Sequence, residues 1–248
     1  MNNYQGGPIS TSAQGEMDLG LRSFMLGTYK YMIMAMGVSG LVALLVAKFL
    51  LLDANGMPTP LAYTLTRPST ALILSLGIMF VFGRIGAKLH SMSIGGVKTF
   101  LFGFAAVIGI WLSVIAAFKD PMISVRIFFM AAAMFGGVSL IGYTIKKDLS
   151  GLLVFFTMAF IGAIVMLFLN AFVLKQAADS TFVLALNALG LLGIAGLTAW
   201  KTQMLKRVYY STVGDKDMTE KYSVFGAAML LLAFINMFSF LMSLFGRD

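Results

Sequence analysis

The chain has 248 residues, of which 59% are hydrophobic and only 11% charged, and its mean hydropathy is +0.91. That is too apolar for a water-soluble domain of this length, so the composition predicts an all-α, polytopic membrane protein. The net charge of +8 does not point to nucleic acid, because the basic residues stand in short stretches beside apolar runs, and the absence of cysteine excludes disulfides and thiolate metal sites.

Residues 1–28 have neither a basic start nor an apolar core, and read as a polar N-terminal tail rather than a signal peptide. Residues 29–248 then offer seven apolar runs, at 31–52, 71–87, 99–118, 123–145, 152–174, 182–200 and 224–245. Each is near the ~20 residues that a helix needs to cross the hydrocarbon core. Seven crossings place the tail and the second, fourth and sixth connections on one side. That side carries twelve of the eighteen basic residues, including Arg22, Arg84, Lys88, Lys98, Lys206 and Arg207. The positive-inside rule therefore predicts a cytoplasmic N-terminus and an outside C-terminus.

Lipid gives helices no hydrophobic reason to associate, so small residues mark where backbones approach. Ala35, Ser39, Ala43 and Ala47 recur at every fourth position of the first run. Ala132 with Gly136, and Ala133 with Gly137, do so in the fourth, and Gly190, Gly193 and Gly196 lighten one side of the sixth. All three sets are expected at helix contacts.

Chemistry is sparse inside these runs. All ten acidic residues fall in tails, connections or run edges, and the single histidine, His90, falls in a connection. Proton relays and cation sites are ordinarily built from intramembrane Asp, Glu or His, which makes an acidic pathway an unfavoured expectation. Retinal chemistry would need a lysine in the last run with a carboxylate counter-ion, and 224–245 has neither. Nucleotide loops and nucleophile arrangements are missing, so no enzyme, cofactor or metal is expected, and the nineteen methionines read as apolar filling.

Five stretches carry a resemblance. "FFMAAAMFGGVSLIGYTIKKDLSG" (128–151) resembles the fourth helix and following loop of the Bax inhibitor-1 family. "GLRSFMLGTYKYM" (20–32) and "HSMS" (90–93) resemble its first helix and second loop, Asn170 falls where the family has an asparagine after the fifth helix, and "AFINMFSFLMSLFG" (233–246) resembles its last helix. The resemblance implies a bacterial inner-membrane bundle of seven helices with the last one enclosed. It also implies a function, since members with paired aspartates on the sixth and seventh helices act as pH-sensitive calcium leak channels, and some members modulate a membrane AAA protease.

In the family pattern the sixth helix ends like "LTAWDTQ" and the seventh contains "LYLDFINLF". Here "GLTAWKTQ" (196–203) puts Lys201 at the first carboxylate and "AFINMF" puts Ala233 at the second. Two nearby carboxylates share a proton and so report pH. A lysine facing alanine cannot, and at an effective dielectric near 20 it repels a unit positive charge ~4 Å away by ~4 kcal/mol. A plainer reading has Lys201 extending its ammonium to the interface beside Lys206 and Arg207. The family's basic latch residue falls on Lys88, with Arg84 one turn earlier as the other candidate, and both are equally readable as interface anchors. Asn170 and Asn236 are the polar residues expected within the bundle. Two roles from different classes follow: a non-enzymatic regulatory or interaction protein with a membrane protease or another membrane complex as partner, using the tail and the stretch 201–221 as handles, or a calcium or other cation leak with lost pH gating.

Overall fold

A computed structural model describes residues 11–177 and 180–246. They form eight helices, α1 (Thr11–Val46), α2 (Pro60–Leu65), α3 (Pro68–Lys88), α4 (Ile94–Phe118), α5 (Pro121–Thr144), α6 (Ser150–Leu169), α7 (Thr181–Thr212) and α8 (Lys216–Phe245). A π-helical turn extends α1 over Ala47–Leu51 and another extends α6 over Asn170–Leu174. All but α2 are long and apolar enough to cross a membrane, so the seven expected crossings are present and the chain is a multi-pass membrane protein. Among the described residues, extended pairing is confined to one antiparallel bridge between Leu52 and Pro58.

Local chemistry sets the helix starts. Ser93 accepts from the Gly96 N–H, Asp120 from Met122 and Ile123, Ser180 from Val183 and Asp215 from Met218, each satisfying amides that the first turn leaves without partners. Pro60, Pro68 and Pro121 occupy first positions, where a missing N–H costs nothing.

Two expected boundaries move. Residues 1–10 of the polar tail lie outside the described residues, as does Arg247, but the chain is already helical at Thr11, the first described residue, rather than from near residue 31. Its polar residues hide a stripe of Leu21, Phe24, Met25, Thr28 and Met32, all buried, whose spacing of three and four residues belongs to a packed helix. Similarly, 201–221 is not a charged loop. α7 continues to Thr212 and α8 starts at Lys216, leaving a turn of three residues that Thr219 braces by donating to the Thr212 carbonyl at 2.7 Å.

The most buried element is α8, which packs on α1, α4, α5 and α7. α7 lies between α6 and α8, and its glycines explain how. A Cβ at Gly190 would run into Phe240 of α8, and at Gly193 or Gly196 into Phe160 or Phe156 of α6. On α1, Ala35, Ser39, Ala43 and Ala47 are all buried, and a Cβ on Gly109 of α4 would come within 2.6 Å of the Ser39 carbonyl. The α5 expectation is corrected: Ala133, Gly136 and Gly137 are exposed and Ala132 is half-buried. The packed face of α5 is Ala131, Phe135, Ser139 and Gly142, where a Cβ on Gly142 would strike the Ala199 backbone. Several small-residue series run through "AAAMFGG", and only the partner helix selects one. α3 is the loosest crossing, with no fully buried residue, held by Phe82 edge-on to Phe100 and Phe104 and tilted against Phe225.

The connection from α5 to α6 is pinned to α7. Gln203 Oε1 accepts from the Leu149 N–H at 2.9 Å and its Nε2 donates to the Lys147 carbonyl at 2.8 Å. Arg207 donates to Asp148 at 2.9 Å, to Ser150 at 3.1 Å and to Gln203 at 3.1 Å. The Ser150 N–H donates to Asp148 Oδ1, and this bond, followed by the Ser150 hydroxyl and Arg207, holds the exposed Asp148 carboxyl below the usual carboxylate range. A depressed folded-state pKa means the Asp148 contribution is present above ~3.9, the usual Asp value, and is lost as pH falls through the folded value.

Two tests follow from this packing. Gly142→Ala and Gly137→Ala share the same change in helix propensity, so their difference isolates packing. The first is expected to be less stable than the second by ~1–3 kcal/mol, read as a lower thermal midpoint in detergent. The Ser150 amide is expected to be protected from hydrogen exchange at neutral pH and to lose protection on acidification below about pH 4, whereas Asp148→Asn shows weak protection throughout and no acid step.

Candidate functional site

The antiparallel contact of α7 and α8 fixes the two positions that matter. Leu205 meets Gly226, and Gly190 meets Phe240. Four residues back from Leu205 along α7 is Lys201, and four residues on from Gly226 along α8 is Leu230, so Lys201 is level with Leu230. Ala233, fully buried, lies three residues farther, an axial offset of ~4.5 Å. Positions 201 and 233 are therefore about one helical turn apart on adjoining helices.

Lys201 is half-buried and makes no hydrogen bond or ion pair among the described residues. It shares the α7 face of Ile194, Thr198 and Leu205, which packs toward α8. Its backbone nevertheless sits only two residues, ~3 Å along the axis, before Gln203, which is level with the α5–α6 connection. Trp200 beside it donates from Nε1 to the Ser150 hydroxyl at 3.4 Å. A lysine stem spans that distance, so the placement suits an ammonium directed to the basic end of the bundle.

The other expected residues do not join this pair. Arg84 is exposed, its guanidinium 5.7 Å from the Phe80 ring one turn away, and Lys88 is exposed and without an acidic partner. Asn170 is not a bundle-interior group. It closes the π-helical turn after α6, accepting from the Gln176 N–H at 3.1 Å and donating to its carbonyl at 3.3 Å. Asn236 is on α8 but spends its amide on the Leu232 carbonyl at 2.8 Å. His90 lies in the turn after α3, edge-on to Tyr222.

What the structure does assemble is a ladder of hydroxyls. Tyr29 of α1 bonds Ser139 of α5 at 2.5 Å, Ser139 bonds Thr202 of α7 at 2.9 Å, and Thr202 donates to the Thr198 carbonyl at 3.0 Å. Beside it, Thr28 of α1 meets Ser223 of α8 at 3.1 Å. Buried hydroxyls away from water must pair, and these join four helices. Nearer the basic end, Glu220 accepts from Lys98 of α4 at 2.7 Å and from Tyr31 of α1 at 3.4 Å, while the buried Lys221 pairs with Asp217 at 2.5 Å. Sequence reasoning missed the ladder, Gln203 and the buried Asn187, whose partner is the Val183 carbonyl. The signal for Gln203 stood in "WKTQ", two residues beyond Lys201. The ladder had no such signal, because its members come from helices far apart in the chain.

Asp18 is exposed within the N-terminal part of α1, Asp53, Asp120, Asp148 and Asp215 sit in turns or caps, Asp217 is in the first turn of α8 and Glu220 follows it. Among the described residues no three His, Cys, Asp or Glu side chains converge as metal ligands. The arrangement can hold helices together and present charge at one end. It contains no pair of acids that shares a proton across α7 and α8.

Comparison with known proteins agrees with the fold. The model of the family described as Inhibitor of apoptosis-promoting Bax1 matches residues 21–248. The inner membrane protein YbhL of Escherichia coli K12 is 36% identical over 71% of this chain and 73% of its own length. An uncharacterized protein of Caulobacter vibrioides is 35% identical over 95% of this chain and 93% of its own. The protein RP147 of Rickettsia prowazekii is 30% identical over 100% of this chain and 99% of its own. The matched region takes in α1 from Leu21 onward and all of α2 to α8, and the chain belongs to the Bax inhibitor-1 family.

Proposed function

We propose that this chain is a non-enzymatic regulatory or interaction protein of the bacterial inner membrane, with its basic end and N-terminus in the cytoplasm and its C-terminus outside. The observation that carries the reading is the pair Lys201 and Ala233, one turn apart on adjoining helices where the family pattern has two acids. A cation and a methyl group neither share a proton nor attract calcium, so the family's pH-gated leak has lost its sensor here. The YbhL relative and the twelve-to-six bias of basic residues support the membrane and the orientation.

The basic end also has the form of a docking element. Lys206 donates to the Tyr143 carbonyl at the last turn of α5 at 3.3 Å, and α7 then runs six residues farther, ~9 Å, before turning into α8. Tyr210 and Val213 are exposed on this projecting hairpin. Exposed apolar groups outside the hydrocarbon layer favour a protein partner, and a membrane AAA protease or another membrane complex fits the family resemblance.

Liposomes containing the purified protein decide between regulation and leak. The parent is expected to pass neither calcium nor monovalent cations from mildly acidic to mildly alkaline pH, and Lys201→Asp with Ala233→Asp is expected to create pH-dependent flux. A conducting parent would overturn the reading. Substituting Tyr210→Ala with Val213→Asp is expected to lower co-purification of a membrane protease severalfold without altering the elution of the protein itself, and unchanged recovery would count against the hairpin as the handle.

A further inference from the structure

α1 and α5 both pack on α8 but leave a seam between them that opens sideways to the membrane. It encloses a cavity of ≈ 690 Å³ running from Arg22 to Met36 along α1, walled on α5 by Ala132 and Gly136 and floored by Phe234 of α8. The small residues that close no helix contact thus make one wall of the seam thin. A second cavity of ≈ 360 Å³ shares Met36, Phe128 and Phe234 and carries the seam toward the opposite end.

We infer that this seam binds one anionic phospholipid from the leaflet at the basic end, with the phosphate at Arg22 and an acyl chain along the groove. Depth, volume and charge each select this occupant. The fourteen steps along α1 from Arg22 to Met36 rise ~21 Å. Half of a hydrocarbon core, ~15 Å, plus one headgroup layer of ~6 Å, comes to the same length. A transmembrane helix ~10 Å across over that rise fills roughly 1,600 Å³, more than twice the main cavity, so a partner helix would lie over the seam and not within it. An acyl chain is narrow enough to enter.

Charge completes the case. Arg22 lines the mouth, is exposed, and makes no hydrogen bond or ion pair among the described residues. Tyr143 also lines it, and the Lys206 ammonium lies 5.6 Å from that ring with no acidic partner. Two cations at headgroup depth above an apolar slot are complementary to a phosphate joined to a hydrocarbon chain. The site is separate from positions 201 and 233 and needs neither reading of them.

The test is native mass spectrometry of the intact protein released from nanodiscs of equal parts dioleoyl phosphatidylglycerol and dioleoyl phosphatidylcholine. One phosphatidylglycerol per chain is expected to be retained in preference to phosphatidylcholine. Arg22→Gln should reduce that preference roughly fivefold, the factor given by ~1 kcal/mol per basic residue at a membrane surface. Gly136→Leu should abolish retention of both lipids; a Cβ there meets nothing within 4 Å, so the fold has room for the change. Equal retention of the two lipids by the parent, or an unchanged preference in Arg22→Gln, would overturn the inference. It would also fall if Gly136→Leu kept the lipid but altered the oligomeric mass, which would assign the seam to a protein helix.

Discussion

Close backbone approach at α7 is the constraint on which the rest of this bundle depends. In a bilayer the apolar side chains are as well solvated by lipid as by one another, so helices stay together only where surfaces interlock. α7 meets three neighbours through missing side chains, with Gly190 under Phe240, Gly193 and Gly196 under Phe160 and Phe156, and Ala199 against Gly142. Each contact places α6, α8 or α5 at a distance that a single methyl group would enlarge. α8 can be the most buried helix because α7 on one side, and α1 and α4 on the other, come close enough to cover it.

Hydroxyls then convert proximity into register. A shallow glycine contact tolerates sliding, whereas the Tyr29–Ser139–Thr202 ladder and the Thr28–Ser223 bond are satisfied at one alignment of four helices. Leaving such groups unpaired in hydrocarbon costs several kcal/mol each, which makes the ladder a strong selector even if each bond adds little net stability. Gln203 repeats the device at the membrane edge, where one amide ties a connecting loop to α7. The register so set is what leaves positions 201 and 233 one turn apart.

Charge is distributed by the same economy of solvation. Apart from the exposed Asp18 of α1, the acids described gather in caps, turns and end-of-helix ion pairs, where water and lysine or arginine are within reach, and the half-buried Lys201 lies close to the basic end. The middle of the bundle is thus held by neutral hydroxyls. That arrangement moves the interest of the molecule outward, to the projecting α7–α8 hairpin and to the cationic mouth of the α1–α5 seam.

The membrane environment, the seven crossings and the family were legible in the residues alone, because hydropathy, helix length and motif are local properties that survive without neighbours. The sequence also marked Gly190, Gly193 and Gly196 as contact positions of α7, although they read there as one side and the structure divides them between α8 and α6. Tertiary contacts were needed to show which of the overlapping small-residue series on α5 is packed, that α1 reaches back into the polar tail, and how 201–221 splits into two helix ends. The same holds for the hydroxyl ladder, the Gln203 pin and the seam. These depend on which face of one helix meets which residue of another more than a hundred positions away in some cases, and a periodic pattern carries the face but not the partner.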